Sequence, residues 1–537
     1  MPLALLRQTV RLKSFHAVGL QKAGEASKMT NHLFDGLLSH KQSDALLTRM
    51  PDGRSYTYGT ALEVSARFAN VLVGCGVKAG DRVAVQVPKS IEAAMLYLAC
   101  VRVGAVFLPL NTAYTVDEVE YFLSDAEPSL FICDPNKRDA FDQLVKARNI
   151  AIETLGVLTT DGKSAGSFSD KAMEASAAFQ NAECGADSLA AILYTSGTTG
   201  RSKGAMMSHD NLLSNAKSLV ELWQFSSSDV LLHALPIFHT HGLFVAINVT
   251  LLAGSSMLFL PAFNNDEVIA QLPDATAMMG VPTFYNRLLD DHRFTKELVD
   301  HMRVFISGSA PLLAETHQAF ERLTGQRILE RYGMTETNMI TSNPYDGERK
   351  AGTVGFALPR VEMKVCDVES GKQIDDGEIG SIELRGPNVF SGYWRMPEKT
   401  AEEFRDDGFF ITGDLGVIDE DGYLKIVGRN KDLIISGGYN IYPKEIELLL
   451  DEQEGVLESA VIGVPHPDFG EGVFGLLVAK EGALDCDAIL AAISGKIARF
   501  KQPKELVVVD ELPRNTMGKV QKNILRERYK NAFSSNK

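Results

Sequence analysis

The segment YTSGTTGRSKGAMMSH, residues 194–209, joins a run of Thr, Ser and Gly to a lysine. Glycine lets the backbone approach a ligand closely, and successive backbone N–H groups form concave sites for phosphate oxygens. Lys203 adds a mobile positive charge. The spacing differs from the G-x-x-x-x-G-K-[ST] pattern of nucleotide hydrolases, because Ser202 stands where that pattern requires its second glycine. We predict a phosphate-binding loop of another kind, with a solvated polar loop as the alternative.

Around this loop, helical patterns alternate with short runs of β-branched residues. Residues 82–88 and 105–110 read as buried strands, and residues 90–104 read as a helix that ends at a glycine. Such alternation is typical of α/β layers built on parallel sheets. From about residue 352 the pattern changes to short alternating strands joined by Gly and Asp turns, which predicts a small β subdomain. A compact α+β unit follows Arg429.

The chain has 537 residues, more than one hydrophobic core supports, so several domains are expected. We predict an N-terminal extension over residues 1–28, a large N-terminal domain over 29–430 and a smaller C-terminal domain over 431–537. The fold class is α/β: layered α/β subdomains with a small β subdomain, followed by an α+β domain. The boundary is placed in the polar loop GRNKDLI, residues 428–434.

Composition excludes several classes of protein. Lys plus Arg total 54 against 69 for Asp plus Glu, a net charge of −15, so a broad nucleic-acid-binding face is not expected. The 6 cysteines form no C-x-x-C pair, which argues against a zinc site and favours free thiols. The most apolar stretch, residues 242–263, contains polar residues, so it predicts a buried helix, a turn and a strand rather than a membrane span.

Residues 1–28 differ from the rest of the chain. They carry several basic side chains and no acid before Glu25, a pattern typical of amphipathic organelle-targeting peptides. Two other interpretations stay open: an untargeted extension, or a true start at Met29. We expect a cytoplasmic protein, with the mitochondrial matrix as the alternative if residues 1–28 are a transit peptide.

Four further motifs occur in order after the loop: ERYGMTET (330–337), GFFITGDLG (408–416), GRNKDLIISGGYNIYPKEIE (428–447) and LPRNTMGKVQK (512–522). Together they resemble the adenylate-forming superfamily of acyl-CoA synthetases, luciferases and peptide-synthetase adenylation domains, over essentially residues 30–530. The resemblance implies that a carboxylate attacks the α-phosphorus of ATP and that coenzyme A then attacks the acyl-adenylate. It also implies that the C-terminal domain is mobile.

The resemblance implies an ATP site with five parts. The β- and γ-phosphates would be bound by the loop residues Thr195, Ser196, Gly197, Thr198, Thr199 and Gly200 together with Lys203. Ser309 and Tyr332 would lie beside adenine, and Thr335 would contact the α-phosphate. Asp414 and Arg429 would bind ribose or phosphate, and Lys519 would be the catalytic lysine. Each type also has an ordinary structural alternative, such as a core tyrosine, a turn-forming aspartate or a surface ion pair.

The same resemblance assigns the catalytic groups. Lys519 would reach the α-phosphate and the carboxylate, with Lys203 and Thr335 as further catalytic residues. Glu336 would bind Mg²⁺, a hard ion that prefers oxygen ligands, with a solvated loop acid as the alternative. Because Lys519 is expected in an exposed loop, a protein acetyltransferase acting on it would remove the charge that adenylation needs.

The second half-reaction involves the C-terminal domain. Lys431 matches the hinge position about which that domain would swing to present another face to the thiol. The glycines of SGGYN, Gly437 and Gly438, lie on that face and would let the pantetheine arm of coenzyme A pass.

The acid is suggested by MGVPTFYNRLL, residues 279–289. Arg287 stands on the first turns of the helix predicted after Pro282, and arginine is suited to hold a second, non-reacting carboxylate. The alternative is a surface cation on an amphipathic helix. This string and FHTHGLF (238–244) resemble malonyl-CoA synthetases, in which the matching arginine binds the distal carboxylate of malonate. His239 lies at the position that flanks the acyl pocket, with a core histidine as the alternative.

The resulting hypothesis is an ATP-dependent ligase that joins malonate to coenzyme A, with Mg²⁺ as cofactor, giving malonyl-CoA, AMP and diphosphate. Methylmalonate adds one methyl group, about 1–3 kcal/mol of discrimination, so its use stays open. The nearest alternative is a synthetase for a medium-chain or aromatic monocarboxylate. A luciferase-like oxygenase, a carrier-loading domain and a nucleotide-binding regulator are more distant alternatives. The complete set of Lys203, Glu336, Asp414 and Lys519 argues against the regulator.

Overall fold

The structure is a computed structural model that describes residues 30–38, 41–157, 166–195, 202–437, 439–514 and 519–533. Three predictions fall outside the described residues: the targeting peptide at 1–28, the loop positions 196–200 and the glycine at 438.

The first part of the chain, up to the predicted phosphate loop and the strand after it, alternates helices and strands. Its elements are α1 (His32–Leu38), β1 (Leu46–Arg49), β2 (Ser55–Thr57), α2 (Tyr58–Gly74), β3 (Arg82–Gln86), α3 (Ile91–Val103), β4 (Val106–Pro109), α4 (Val116–Ala126), β5 (Leu130–Cys133), α5 (Arg138–Ala147), β6 (Ala151–Thr154), α6 (Ser167–Glu174), β7 (Leu189–Thr195) and β8 (Lys203–Ser208).

The alternation continues through the middle of the chain, where one π-helix interrupts it. The elements are α7 (His209–Leu222), β9 (Val230–His233), the π-helix His241–Ile247, α8 (Asn248–Ala253), β10 (Ser256–Phe259), α9 (Asn265–Gln271), β11 (Ala277–Gly280), α10 (Pro282–Leu289), α11 (Lys296–Val299), β12 (Val304–Ser307), α12 (Ala314–Thr324), β13 (Leu329–Met334) and β14 (Asn338–Ser342).

Short strands dominate the last part. The elements are β15 (Phe356–Ala357), β16 (Glu362–Cys366), β17 (Gly380–Arg385), α13 (Pro397–Glu402), β18 (Phe410–Ile418), β19 (Leu424–Arg429), β20 (Ile434–Ser436), β21 (Tyr439–Ile441), α14 (Pro443–Asp451), β22 (Val456–His466), β23 (Gly470–Ala479), α15 (Cys486–Ser494), β24 (Glu505–Val508) and α16 (Lys522–Tyr529).

Within the described part of the chain the strands form four sheets. A 6-stranded sheet has the order β6-β5-β3-β4-β7-β8, and a 9-stranded sheet has the order β15-β14-β13-β12-β11-β9-β10-β1-β2. Neighbours are parallel except at their ends, where β8, β2, β14 and β15 run antiparallel. Strands β16 to β19 form the predicted β subdomain, and β20 to β24 form the C-terminal sheet. The predicted α/β class is confirmed.

Local sequence explains why these elements form where they do. The Ser90 side chain accepts a hydrogen bond from the Ala93 N–H and caps the start of α3, and Gly104 ends the helix in the left-handed region at φ 75°. Every residue of α3 is buried. The predicted helix over 90–104 and the strands on either side of it are therefore observed.

The apolar stretch over 242–263 also folds as expected, as helix, turn and strand. The π-helix runs into α8, Gly254 turns the chain at φ 72°, and β10 follows. Among the described residues, no helix is both long enough and apolar enough to cross a membrane. The chain passes from the β16–β19 sheet to the C-terminal sheet between Arg429 and Ile434, in the segment where the sequence places the domain boundary.

Candidate active site

The hairpin of β13 and β14 positions the residues singled out by the sequence. The two strands are joined by a turn that carries Thr335 and Glu336. Successive side chains of a strand point to opposite faces of its sheet. Arg331 and Tyr332 are neighbours on β13 and so reach two different surroundings. We call these the Arg331 side and the Tyr332 side.

On the Tyr332 side three polar side chains bind one another. The Tyr332 hydroxyl donates a hydrogen bond to Asp414 Oδ2, and Arg429 Nε lies 2.6 Å from Asp414 Oδ1. Asp414 and Arg429 face each other across β18 and β19. The Asp414 carboxylate raises the pKa of Arg429, whereas burial, followed by Asp414, raises the pKa of Tyr332. Three of the residues expected at adenine and ribose, Tyr332, Asp414 and Arg429, are thus brought together, whereas Ser309 lies with His241 on the other side.

Two lysines of the C-terminal part lie close to this group. Lys431 occupies the turn between the two sheets, and its pKa is lowered to about 8 by burial and by the charge of Arg429. The pKa of Lys519 is also lowered by burial and by Arg429, while Asp414 and Glu336 act in the opposite direction. Lys519 is exposed as a residue, yet its ammonium lies within the field of these carboxylates. The charges of the Tyr332 side therefore act on Lys519, whose catalytic role stays a prediction.

The predicted phosphate-binding lysine has partners that the sequence did not suggest. Lys203 Nζ lies 2.9 Å from Glu403 Oε1 and 4.1 Å from the centre of the Tyr393 ring. The Tyr393 hydroxyl lies 2.9 Å from Glu336 Oε1 and 2.7 Å from Glu403 Oε2. Thr195 and Lys203 face each other across β7 and β8 and so close the hairpin from which the predicted loop extends.

Glu336 fits a site for Mg²⁺ shared with a nucleotide. Its side chain is buried, and burial raises its pKa, so the carboxylate is stabilised by a cation that replaces the lost water. Magnesium in such sites is often held by one or two carboxylates together with substrate phosphates. No group of three or more His, Cys, Asp or Glu able to hold a metal lies within the described ranges. A metal here would therefore take its other ligands from phosphate and water.

The Arg331 side is built from a glycine, a serine and a histidine. Gly308 passes so close to the Arg331 guanidinium that a Cβ at this position would lie 2.4 Å from Arg331 Cζ. Ser309 adopts a left-handed backbone at φ 73°, and its hydroxyl lies 3.2 Å from His241 Nδ1 at the start of the π-helix. Arg331 itself is only 3% exposed.

On this side Nε and Nη2 of Arg331 and Nε2 of His241 are buried and have no hydrogen-bond partner in the described protein, and Nε2 of His239 has none either. Buried polar atoms are normally hydrogen-bonded, so such a group is typical of a surface that a ligand completes. Burial lowers the pKa of His239 to about 4, lowers that of His241, and lowers that of Arg331 to about 9. Near pH 7 the histidines are neutral and Arg331 is charged.

The structure does not bring Arg287 to this side. The residues that α10 buries are Pro282, Tyr285 and Leu288. Arg287 lies on the exposed face of the helix, and its guanidinium carbon is 6.0 Å from the centre of the Phe263 ring. The buried pocket expected around Arg287 is not observed there, and its placement matches the alternative of a surface cation. His239 is half-buried, and its Nε2 atom is buried without a hydrogen-bond partner in the described protein.

The described part of the predicted CoA passage is a tight turn. Gly437 has φ +58° and donates its N–H to the Phe469 carbonyl at 2.9 Å. It is exposed at the tip of the hairpin of β20 and β21.

The sequence interpretation missed Arg331, His241, Tyr393 and Glu403. Arg331 carried a usable signal, because strand alternation places it on the face opposite Tyr332. For Tyr393 and Glu403 the signal was weaker, since an aromatic before a short helix and an acid at its end are common on protein surfaces.

The fold and these two sides define an adenylate-forming ligase. A family model described as AMP-binding enzyme matches residues 38–394, and one described as AMP-binding enzyme C-terminal domain matches residues 445–519. The chain belongs to the AMP-binding enzyme family, and within it to the acid–thiol ligases. Acyl-CoA ligase activity follows from this membership, and ATP and coenzyme A are consistent with it.

Its relatives include one enzyme named for malonate. A malonate–CoA ligase of Arabidopsis thaliana is 34% identical over 532 residues, covering 89% of this chain and 86% of that protein. The crystal structure of ATP-bound MatB from Rhodopseudomonas palustris has 57% sequence identity and a TM-score of 0.91, covering 94% of this chain and 100% of that one. The apo structure of that protein gives a TM-score of 0.80 at the same identity and coverage. The chain therefore superposes better on the ATP-bound form.

Proposed function

We propose that this ligase acts on malonate and that Arg331 binds the carboxylate that does not react. The observation that carries the proposal is a buried guanidinium with two nitrogens that have no partner in the described protein. A buried cation without an acid costs stability, and an arginine fork pairs best with a carboxylate. The name of one relative, a malonate–CoA ligase, supports the same acid.

With the distal carboxylate at Arg331, the other carboxylate points past Thr335 and Glu336 toward the Tyr332 side. One of its oxygens forms a bond to the α-phosphorus of ATP, and the bond from that phosphorus to diphosphate breaks. Lys519 would neutralise charge on both reacting groups, and its closeness to Asp414 and Glu336 supports this role. Bound Mg²⁺ would supply charge neutralisation at the phosphates, with Glu336 as its protein ligand.

In the second half-reaction the sulfur of coenzyme A forms a bond to the acyl carbon, and the bond to AMP breaks. Lys519 has no role in that step. We propose that rotation about Lys431 removes Lys519 from the Tyr332 side and brings Gly437 toward the acyl-adenylate. The position of Lys431 between two sheets supports this role.

A monocarboxylate would leave Arg331 buried and unpaired. Sites built to pair a polar group reject analogues that lack it by several orders of magnitude, because the group then remains desolvated without a partner. We therefore infer strong discrimination against butyrate and benzoate, and weak discrimination against methylmalonate.

Two arginine variants test the assignment. Removing one partner of a buried ion pair costs about 3–5 kcal/mol, so Arg331→Met should lower kcat/KM for malonate about 100- to 1000-fold. Arg287→Ala removes an exposed cation and should leave kcat/KM within about twofold. Diphosphate release with malonate, methylmalonate, butyrate and benzoate measures both variants.

The opposite result would identify Arg287 as the carboxylate-binding residue. If the wild-type kcat/KM for butyrate or benzoate equals that for malonate, the malonate assignment itself is wrong. Arg331→Lys keeps the charge and removes the fork, so an intermediate loss would show that bidentate geometry contributes.

A further inference from the structure

Two glutamates and a lysine meet around one tyrosine. The Tyr393 hydroxyl lies 2.9 Å from Glu336 Oε1 and 2.7 Å from Glu403 Oε2. The other oxygen of Glu403, Oε1, lies 2.9 Å from Lys203 Nζ. Tyr393 and Glu403 therefore connect the residue proposed to bind the metal with the residue proposed to bind the phosphates.

The backbone fixes this tyrosine between the two elements it connects. The Phe390 N–H donates to the Glu336 carbonyl at 2.8 Å, and the Trp394 N–H donates to the Gly204 carbonyl at 2.7 Å. The segment that carries Tyr393 is thus anchored at one end to the Glu336 turn and at the other to the strand that begins with Lys203. Displacement of either element changes the geometry at the hydroxyl.

Nucleotide binding would change two of the contacts around Glu403, those with Lys203 and Tyr393. Lys203 carries three donors on one ammonium group, so Glu403 would have to share them with bound phosphate oxygens. A phenol has one hydrogen to donate, so Tyr393 serves either Glu336 or Glu403 at a given moment. Lys399, 3.3 Å from Glu403 Oε1, is available to Glu403 in both situations.

We propose that Tyr393 and Glu403 are positioning residues that couple the phosphate contact of Lys203 to the metal contact of Glu336. Without nucleotide, Glu403 holds Lys203 and Tyr393 is shared between the two glutamates. With nucleotide and metal, Lys203 moves to the phosphates, Glu336 binds the metal, and the Tyr393 hydroxyl is left to Glu403. The inference rests on the proposed function, because it requires ATP and Mg²⁺ at this site.

Glu403→Gln tests the first half of the coupling. The variant releases Lys203 before ATP binds. In the presence of EDTA, which removes Mg²⁺, ATP should therefore bind the full-length variant about three- to fivefold more tightly than the wild type. This is the size expected for breaking one partly exposed ion pair. Calorimetric titration measures the affinity. Glu402→Gln is the matched control, because it removes the same charge one residue away, where the side chain is 66% exposed and pairs with Lys399 instead. The control should leave the affinity unchanged.

Tyr393→Phe tests the second half. Titrations with and without Mg²⁺ give the factor by which the metal strengthens ATP binding. Loss of a hydrogen bond to a charged group should reduce this factor about tenfold. Tyr423→Phe is the control, since its hydroxyl donates to the Glu348 carbonyl at 2.8 Å and is expected to leave the factor unchanged.

The outcomes separate this inference from the proposed function. Weaker or unchanged ATP binding by Glu403→Gln in EDTA, or an unchanged metal factor in Tyr393→Phe, would overturn the coupling while wild-type ATP binding remains. A wild-type chain that binds no ATP under either condition would instead contradict the proposed function. Thermal melts of each variant show whether it is folded, and an unfolded Tyr393→Phe leaves Glu403→Gln as the deciding variant.

Discussion

The two sides of β13 differ in how their charges are balanced. On the Tyr332 side, Asp414 is bound by both Tyr332 and Arg429. On the Arg331 side, a buried guanidinium has two nitrogens without partners in the described protein, and its neighbour His241 is neutral. Strand β13 therefore separates polar side chains that already bind one another from a cation that a bound anion would neutralise.

This difference suggests that the two sides contribute to function in different ways. Paired groups are held in place before a ligand arrives, so the Tyr332 side is prepared for the reaction common to the whole family. An unpaired buried cation lowers stability until its anion binds, so in the proposed function the Arg331 side would select the acid at a cost to the free protein. The predictions below test this comparison.

The largest effect is expected from removing a charge at the Tyr332 side. Lys519→Gln, or acetylation of Lys519 by a protein acetyltransferase, should slow adenylate formation about 100- to 1000-fold, because charge on the reacting groups loses its partner. Attack of coenzyme A on a supplied acyl-adenylate should continue at the wild-type rate. Diphosphate release and thioester formation measure the two steps separately. Equal loss of both would show that Lys519 is not specific to the first.

A smaller effect is expected from displacing Arg331 without removing it. Gly308→Ala would place Cβ 2.4 Å from Arg331 Cζ, so the guanidinium has to move. We expect kcat/KM for malonate to fall about 10- to 100-fold, since a misplacement of about 1 Å can cost this much. Gly185→Ala is the control, because a Cβ there meets nothing within 4 Å. Wild-type kinetics in Gly308→Ala would contradict a close fit around Arg331.

The comparison also predicts a gain in stability. Replacing an unpaired buried cation by an apolar side chain of similar length is expected to stabilise the free protein by about 1–3 kcal/mol. Arg331→Met should therefore unfold at a higher temperature than the wild type. Malonate should raise the unfolding temperature of the wild type and leave that of the variant unchanged. A lower unfolding temperature for the variant would show that Arg331 is paired in the free chain.

The smallest effect concerns an acid in the C-terminal domain. Burial raises the pKa of Asp451 from 3.8 to about 6, although Lys444 lies 3.9 Å away and Ser459 donates a hydrogen bond at 2.7 Å. A raised folded pKa contributes stability that is complete below 3.8 and is lost as the pH rises through about 6. Asp451→Asn should therefore stabilise the protein by about 1 kcal/mol at pH 7.5 and have little effect at pH 4.

Thermal melts at the two pH values measure this difference. A stabilisation that is the same at both would assign the effect to packing rather than to charge. The result would show whether an incompletely paired buried charge also costs stability outside the active site.

The fold was predictable where local signals agree. Ser90 and Gly104 mark the ends of α3, and an unbroken apolar run between them predicts a buried helix. The parallel sheets follow from the alternation of such helices with β-branched strands. The π-helix was not predictable, because its wider turn depends on the tertiary packing around it rather than on residue type.

The candidate site was predictable only in part. The motifs single out Tyr332 and Lys519 through their resemblance to a known family, and the structure shows that both lie near Asp414. The closeness of Arg331 to Gly308 depends on how β12 and β13 pack, which no local pattern reports. Arg287 illustrates the reverse case: an arginine in a suggestive motif lies on the exposed face of a helix whose buried positions are spaced three residues apart.

The π-helix that begins at His241 has a consequence for how this chain can vary. Its hydrogen bonds run from residue i to i+5, so each turn holds more residues than an α-helical turn. Deleting one residue there would restore α-helical closure and rotate the preceding segment by about 100°. His241 would then turn away from Ser309, although every side chain of the site was still present. The proposed acid site is therefore specified by the number of residues in this segment as well as by their kind, and a single-residue gap there would change it more than many substitutions.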